Sequence, residues 1–225
     1  MTLTEYFGDW LKVIDIGELK KILLWLKTTD NRLLCPSSEK IFRAFELCPY
    51  KDCYCVFLGM DPYPQKGVAT GILFGNNESS DSKLSPSLRV IKDSVINLEV
   101  PHNIITFDHS LESWARQGIL MLNSSLTCEV GKPGSHADIW RAFMTRFLRN
   151  FSNKITGLVY VLFGSQAQSF EPCISKDNFI IKIEHPAYFS RIGKDMPHDI
   201  FEEIDKLLKH YYNIKINWYG ELRSN

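Results

Sequence analysis

The chain has 225 residues, 44% of them hydrophobic and 23% charged, which suffices to bury a core of ordinary size in one domain over residues 1–225. Its 26 basic and 26 acidic side chains cancel, so bulk electrostatics points neither toward nor away from nucleic acid, and any phosphate contact has to come from a local patch or backbone donors. No basic stretch followed by an apolar one opens the sequence and no apolar run reaches membrane-spanning length, so an intracellular protein without membrane contact is expected; a monomer is the further expectation.

Ile16, Leu19, Ile22, Leu23 and Leu26 form a stripe at helical spacing, with Lys20, Lys21 and Lys27 mostly opposite, which predicts a packing helix over 16–28. Cys35-Pro36-Ser37-Ser38 supplies a turn and an N-cap for a second helix over 39–45. Cys53 to Leu58 is short, apolar and partly β-branched, as suits a strand buried on both faces of a parallel sheet. Cys53 and Cys55 alternate onto one face of it. None of the six cysteines stands in a CxxC pair, so reduced thiols are expected, with no metal and no disulfide.

The strand runs into Gly59-Met60-Asp61-Pro62-Tyr63-Pro64-Gln65-Lys66-Gly67. Asp61 falls just past the strand's C-terminal end, the rim at which open α/β sheets bind ligands. Pro62 pushes Asp61 out of the helical region, Pro64 does the same to Tyr63, and Gly59 and Gly67 permit tight turns on either side. Carboxylate and phenol are thereby held on a stiff loop, although a local Asx cap accounts for Asp61 equally well. Gly67, Ala69 and Gly71 let a backbone approach a ligand closely, and Phe74 offers either a ring face or ordinary core packing.

Asn76 to Ser85 is polar. Pro86-Ser87-Leu88 opens a helix carried by Leu88, Ile91, Val95 and Leu98, whose free N-terminal amides suit a phosphate. Leu111 to Gly118 reads as a short helix ended by its glycine, and Ile119 to Leu122 as a second buried strand. Asn123 follows directly, and its amide supplies both a donor and an acceptor for the edge of a planar base; a turn-forming Asn has the same local sequence. Gly134-Ser135-His136-Ala137-Asp138 precedes a helix with Trp140, Phe143, Met144, Phe147 and Leu148 on its apolar face. Leu158 to Phe163 is the most apolar strand, broken by Gly164-Ser165-Gln166-Ala167-Gln168, a turn able to hold a phosphate or simply to cap a helix. Asn178 to Ile183 is the fourth strand, and its position at that strand's end sets His185 apart from a solvated loop histidine. A helix with Ile200, Phe201, Ile204, Leu207 and Leu208 leads to an end over Ile214 to Trp218.

Strand, turn and helix in repetition describe an α/β fold of three layers, α/β/α, around a central four-stranded, mainly parallel sheet. A carboxylate, an amide, a hydroxyl turn and an imidazole then meet at one crevice. GxGxxG, Walker and GxSxG motifs are absent from the sequence, so dinucleotide, nucleoside triphosphate and serine-hydrolase chemistry lack support.

Taken together and in order, these residues resemble the family 1 uracil-DNA glycosylases. Gly59-Met60-Asp61-Pro62-Tyr63 is similar to the family's water-activating loop, Gly71-Ile72-Leu73-Phe74 to its base-stacking segment and Pro86-Ser87-Leu88 to its proline-rich, strand-pressing loop. Leu122-Asn123-Ser124-Ser125-Leu126-Thr127, Ser135-His136-Ala137, Phe163-Gly164-Ser165-Gln166-Ala167-Gln168 and His185-Pro186 continue the likeness over nearly the whole chain.

The resemblance implies a DNA-repair hydrolase that needs no cofactor, flips uracil out of DNA and leaves an abasic site. In it Asp61 orients water and stabilises the cationic sugar, while His185 hydrogen-bonds the leaving base. Met60, Tyr63, Phe74 and Asn123 surround the base, with Tyr63 excluding thymine's methyl group. Pro86, Ser87, Ser165 and Ser190 contact DNA phosphates, and Phe189 fills the vacated stack. A DNA-mimic inhibitor protein or a replication partner is the further implied partner. The family usually carries Gln at the position of Met60, His-Gly at Pro64-Gln65, and Ser-Pro-Leu where Ala187-Tyr188-Phe189 stand. Pro64 also occurs in the similar poxviral branch, whose members serve in replication. Together with Met60 and the Tyr211-Tyr212 tail, it motivates the alternative of a DNA-binding accessory protein on a glycosylase fold.

Overall fold

A computed structural model describes residues 2–77, 83–96 and 105–221. In chain order, helices α1 (Leu3–Phe7) and α2 (Ile16–Leu26) lead to strand β1 (Leu34–Cys35), helix α3 (Arg43–Leu47) and strand β2 (Cys55–Gly59). Helix α4 (Pro86–Ile96), strand β3 (Ile105–Thr106), helix α5 (Glu112–Arg116) and strands β4 (Ile119–Asn123) and β5 (Cys128–Glu129) follow. Helix α6 (Ala137–Lys154), strand β6 (Val159–Phe163), helix α7 (Gly164–Gln168), strand β7 (Phe179–Ile183), helices α8 (Pro186–Ile192) and α9 (Asp199–Tyr212) and strand β8 (Gly220–Glu221) complete the chain.

The central sheet has the order β4-β2-β6-β7, and all three pairings are parallel. Gly59 is level with Asn123, Leu58 with both Leu122 and Leu162, and Phe163 with Ile183, so the four C-terminal ends form one rim. From β2 the chain passes outward to β4 and then returns to β6 on the other side of β2. That reversal makes the kind of crevice in which doubly wound sheets hold ligands.

Every residue of β2, β4 and β6 is buried, as parallel strands covered on both faces require. Val56, Leu58, Leu120, Leu122, Tyr160 and Leu162 face one apolar cluster, shared with Leu19, Phe45, Trp140 and Phe147 of α2, α3 and α6. Phe57, Ile119, Met121, Val161 and Phe163 face another, shared with Leu88, Trp114 and Phe201 of α4, α5 and α9. At about 1.5–3 kcal/mol for each large side chain removed from water, these two clusters hold the three layers together.

Several expectations are corrected by the coordinates. The second helix is a 3-10 turn over Ser38–Lys40 followed by α3, not one helix over 39–45. Cys53 lies before β2 and packs in the first cluster, whereas Cys55 belongs to the second, so the two thiols do not share a face. All six cysteines are free. Tyr211 and Tyr212 end α9; Tyr211 is exposed, as expected, though its ring packs on Phe179, and Tyr212 is half-buried on Tyr54, with ring centroids 4.6 and 5.0 Å apart. Leu98 and most of the polar stretch between Asn77 and Lys83 lie outside the described residues. Among the described residues no helix is long and apolar enough to cross a membrane.

Candidate active site

The loop after β2 is fixed from both ends. Gly59 O and Met60 O accept the backbone N–H groups of Ser124 and Ser125 at 2.9 Å each, which ties the start of the loop to the residues after β4. Farther on, the Gly131 N–H donates to Pro64 O at 2.9 Å, and the Cys128 thiol reaches Pro62 O at 3.4 Å. A cavity of about 130 Å³ opens beside this loop, lined by Asp61, Pro62, Tyr63, Pro64, Ala69, Gly71, Ile72, Phe74, Ser87, Asn123 and His185. It is smaller than the ~300–1,000 Å³ of drug-sized pockets and suits a single planar ring.

Asp61 Oδ2 accepts the Gly134 backbone N–H at 2.5 Å. Burial raises the pKa of its carboxyl, and the Gly134 hydrogen bond partly opposes that rise. Asn123, the last residue of β4 rather than the one after it, is 6% exposed, and its Oδ1 is buried with no hydrogen-bond partner in the protein. An orphaned buried carbonyl costs about 1–3 kcal/mol unless a ligand donor satisfies it. Gly59 sits level with Asn123 and leaves space for the Leu73 side chain: a Cβ there would lie 2.2 Å from it, while staying in ordinary contact with Asn123 Oδ1 at 3.4 Å.

His185 caps α8, its Nδ1 accepting the Ala187 N–H at 3.2 Å. The neutral ring therefore carries its proton on Nε2. Burial, and secondarily the Arg191 charge, lower its pKa and favour that neutral form. Phe74 packs edge-on against His185 and Phe163, with centroids at 5.4 and 5.1 Å. Its backbone is left-handed, φ 62°, a strained setting for a bulky residue and of the kind that clusters at functional sites. Tyr63 donates from its hydroxyl to Phe74 O at 3.0 Å.

Of the residues singled out in the sequence, Asp61, Tyr63, Phe74, Ser87, Asn123 and His185 thus meet in one cavity. Met60 does not line it. The Met60 carbonyl is taken by the Ser124 hydroxyl at 2.9 Å and by the Ser125 N–H, and its side-chain end lies against Gly134. Pro86, Ser165 and Ser190 are exposed outside the lining, and Phe189 is half-buried against the second cluster with its exposed neighbour Tyr188 edge-on at 5.6 Å. Gly134 and Ser85, which touch Asp61 and Tyr63, carried no role in the sequence reading. Their partners lie 73 and 22 residues away, and only the folded chain brings them together.

The sequence profile of the Uracil DNA glycosylase superfamily matches residues 45–209. Over 198 residues the chain is 34% identical to a uracil-DNA glycosylase of Borrelia turicatae (strain 91E135), covering 85% of each chain. The chain belongs to the uracil-DNA glycosylase superfamily. A uracil-DNA glycosylase of Campylobacter jejuni subsp. jejuni is 33% identical over 220 residues, 93% of this chain and 92% of that one. Among solved structures, mimivirus uracil-DNA glycosylase superposes with a TM-score of 0.72 over 96% of this chain and 91% of that one, at 20% identity. A mimivirus variant in complex with UGI gives 0.71. At such identities the structural likeness concerns the fold, which is that of the uracil-DNA glycosylases. Among the described residues no group of three or more His, Cys, Asp or Glu side chains is placed to hold a metal ion.

Proposed function

We propose that the protein removes uracil from DNA by hydrolysing its N-glycosidic bond, with Asp61 acting on the sugar and the attacking water and His185 on the leaving base. The observation that carries this assignment is the unpartnered Asn123 Oδ1 in the same cavity as Asp61, Phe74 and His185. Uracil presents an N3–H to such an acceptor, whereas cytosine presents a lone pair there and would leave the carbonyl unsatisfied. Within the superfamily we read the chain as a family 1 enzyme, on Gly59-Met60-Asp61-Pro62-Tyr63 and His185-Pro186, with Pro64 as in the poxviral branch.

The chemistry follows from two settings. As the bond between C1′ and N1 lengthens, its electron pair moves onto the base and the sugar becomes cationic. A half-buried carboxylate interacts with that cation more strongly than it could in water, and the cation in turn favours the ionised form of Asp61. The neutral His185, with its proton on Nε2, supplies a hydrogen bond to the uracil O2 as negative charge grows there. The same Asp61 orients the water that adds to C1′; the proton this water sheds neutralises the departing uracil anion, and the abasic sugar remains.

Flipping the nucleotide out of the duplex costs a few kcal/mol. Ser87 at the start of α4, with Pro86, Ser165 and Ser190 on the surrounding surface, would meet the phosphates, while Phe189 fills the gap in the stack. A DNA-mimicking inhibitor protein would compete for this rim, and the substrate places the enzyme inside the cell with the genome. An oligonucleotide carrying one uracil, incubated with the protein and treated with alkali, is expected to break at that position alone. An intact strand, or equal cleavage at thymine, would reject the assignment.

A further inference from the structure

Ser85 stands between three parts of the candidate site. Its hydroxyl donates to Tyr63 Oη at 2.6 Å and accepts the Leu88 backbone N–H at 3.3 Å, which makes it the N-cap of α4. The direction of each bond is set by its partners. Phe74 O can only accept, so Tyr63 spends its proton there and has a lone pair left for Ser85. One serine hydroxyl thus joins the helix that carries Ser87, the phenol proposed to face C5 of the base, and, through that phenol, the carbonyl of the ring proposed to stack on it. Tyr63 is held at its far end by two hydrogen bonds. Without Ser85 the ring keeps only its bond to Phe74 and can swing about that single tether.

We infer that Ser85 is a positioning residue for base discrimination: it fixes Tyr63 where a substituent on C5 of the pyrimidine would collide with the ring. The inference rests on the uracil reading above and deepens it. A rigid wall rejects a methyl group by overlap, whereas a wall that can retreat rejects it only by the modest energy of the retreat.

The test compares wild type, Ser85→Ala, Ser85→Thr and Tyr63→Phe on oligonucleotides carrying uracil, 5-fluorouracil or thymine, with kcat and KM read separately. Ser85→Ala is expected to raise the kcat/KM ratio of each 5-substituted base to uracil by about tenfold, the worth of one net hydrogen bond. Ser85→Thr, which keeps both the cap and the donor, restores the wild-type ratio. Tyr63→Phe leaves the cap on α4 intact and removes both hydrogen bonds of the phenol, so its shift is at least as large as that of Ser85→Ala, without that variant's loss of helix capping. Combining Ser85→Ala with Tyr63→Phe then adds nothing to the ratio. An unchanged ratio in Ser85→Ala, whatever its melting temperature, overturns the inference, as does a Ser85→Thr variant that behaves like the alanine. Failure of the wild type to release uracil overturns the functional reading itself, and Ser85's role with it.

Discussion

Asp61 meets opposing demands of folding and chemistry. Burial lifts its pKa above the ordinary carboxylate value, and the Gly134 N–H draws it only part-way back. A folded-state pKa above the unfolded one means that the group's favourable contribution is complete below the unfolded value, about pH 3.9, and is lost as pH rises through the folded value. At neutral pH the ionised carboxylate therefore weakens the fold. Asp61→Asn keeps an acceptor for Gly134 and removes the charge, so calorimetry should find this variant more stable than wild type at pH 7. The gain should vanish near about pH 3, where the wild-type carboxyl is protonated in both states. An equal difference at both pH values would assign the effect to packing. The carboxylate and its stiff loop were legible because Pro62, Pro64 and the flanking glycines act within a few residues. The Gly134 N–H that holds it was not, because no local pattern records a contact across 73 positions.

At the scale of elements, the four central strands were readable, whereas the short strands β1, β3, β5 and β8 and the helices α1 and α8 were not, and the helix expected over 39–45 is broken. Strands β2, β4 and β6 are apolar runs because both of their faces are covered, and their ends lie within two residues of the sequence expectation. The 39–45 segment carries helical spacing, yet the Lys40 carbonyl, which a continuous helix would turn toward residue 44, faces Gly71 instead. A Cβ on Gly71 would lie 1.8 Å from that oxygen, and its φ of 82° is itself unfavourable for any other residue. Gly71→Ala must displace either the Ser38–Lys40 turn or the cavity wall. It should cost about 1–3 kcal/mol or more and lower the melting temperature by roughly 2–4 °C for each of those kcal/mol. A melting temperature within a degree or so of wild type would contradict the close packing of these two segments.

Across the whole molecule, the two apolar clusters are built on opposite faces of the same strands, so neither can dissolve while the other persists. Trp10 and Trp140 report on one and Trp114 and Trp218 on the other. Variants retaining tryptophan on a single face should give superimposable denaturation curves, matching far-ultraviolet circular dichroism; two separated midpoints would mean that the layers unfold independently. The layered α/β arrangement was open to sequence reading because apolar period and turn signals repeat along the chain. The convergence of Asp61, Asn123 and His185 was expected from their places after buried strands, and the parallel order β4-β2-β6-β7 brings it about, whereas Ser165, expected beside them, lies outside the cavity. The proposed chemistry rests on that convergence, and single-turnover release of free uracil by wild type and Asp61→Asn, with DNA binding measured alongside, probes it. Wild type should liberate uracil, while Asp61→Asn should bind the same uracil-containing DNA and release the base at least about a hundredfold more slowly. Release by Asp61→Asn at the wild-type rate would contradict the account.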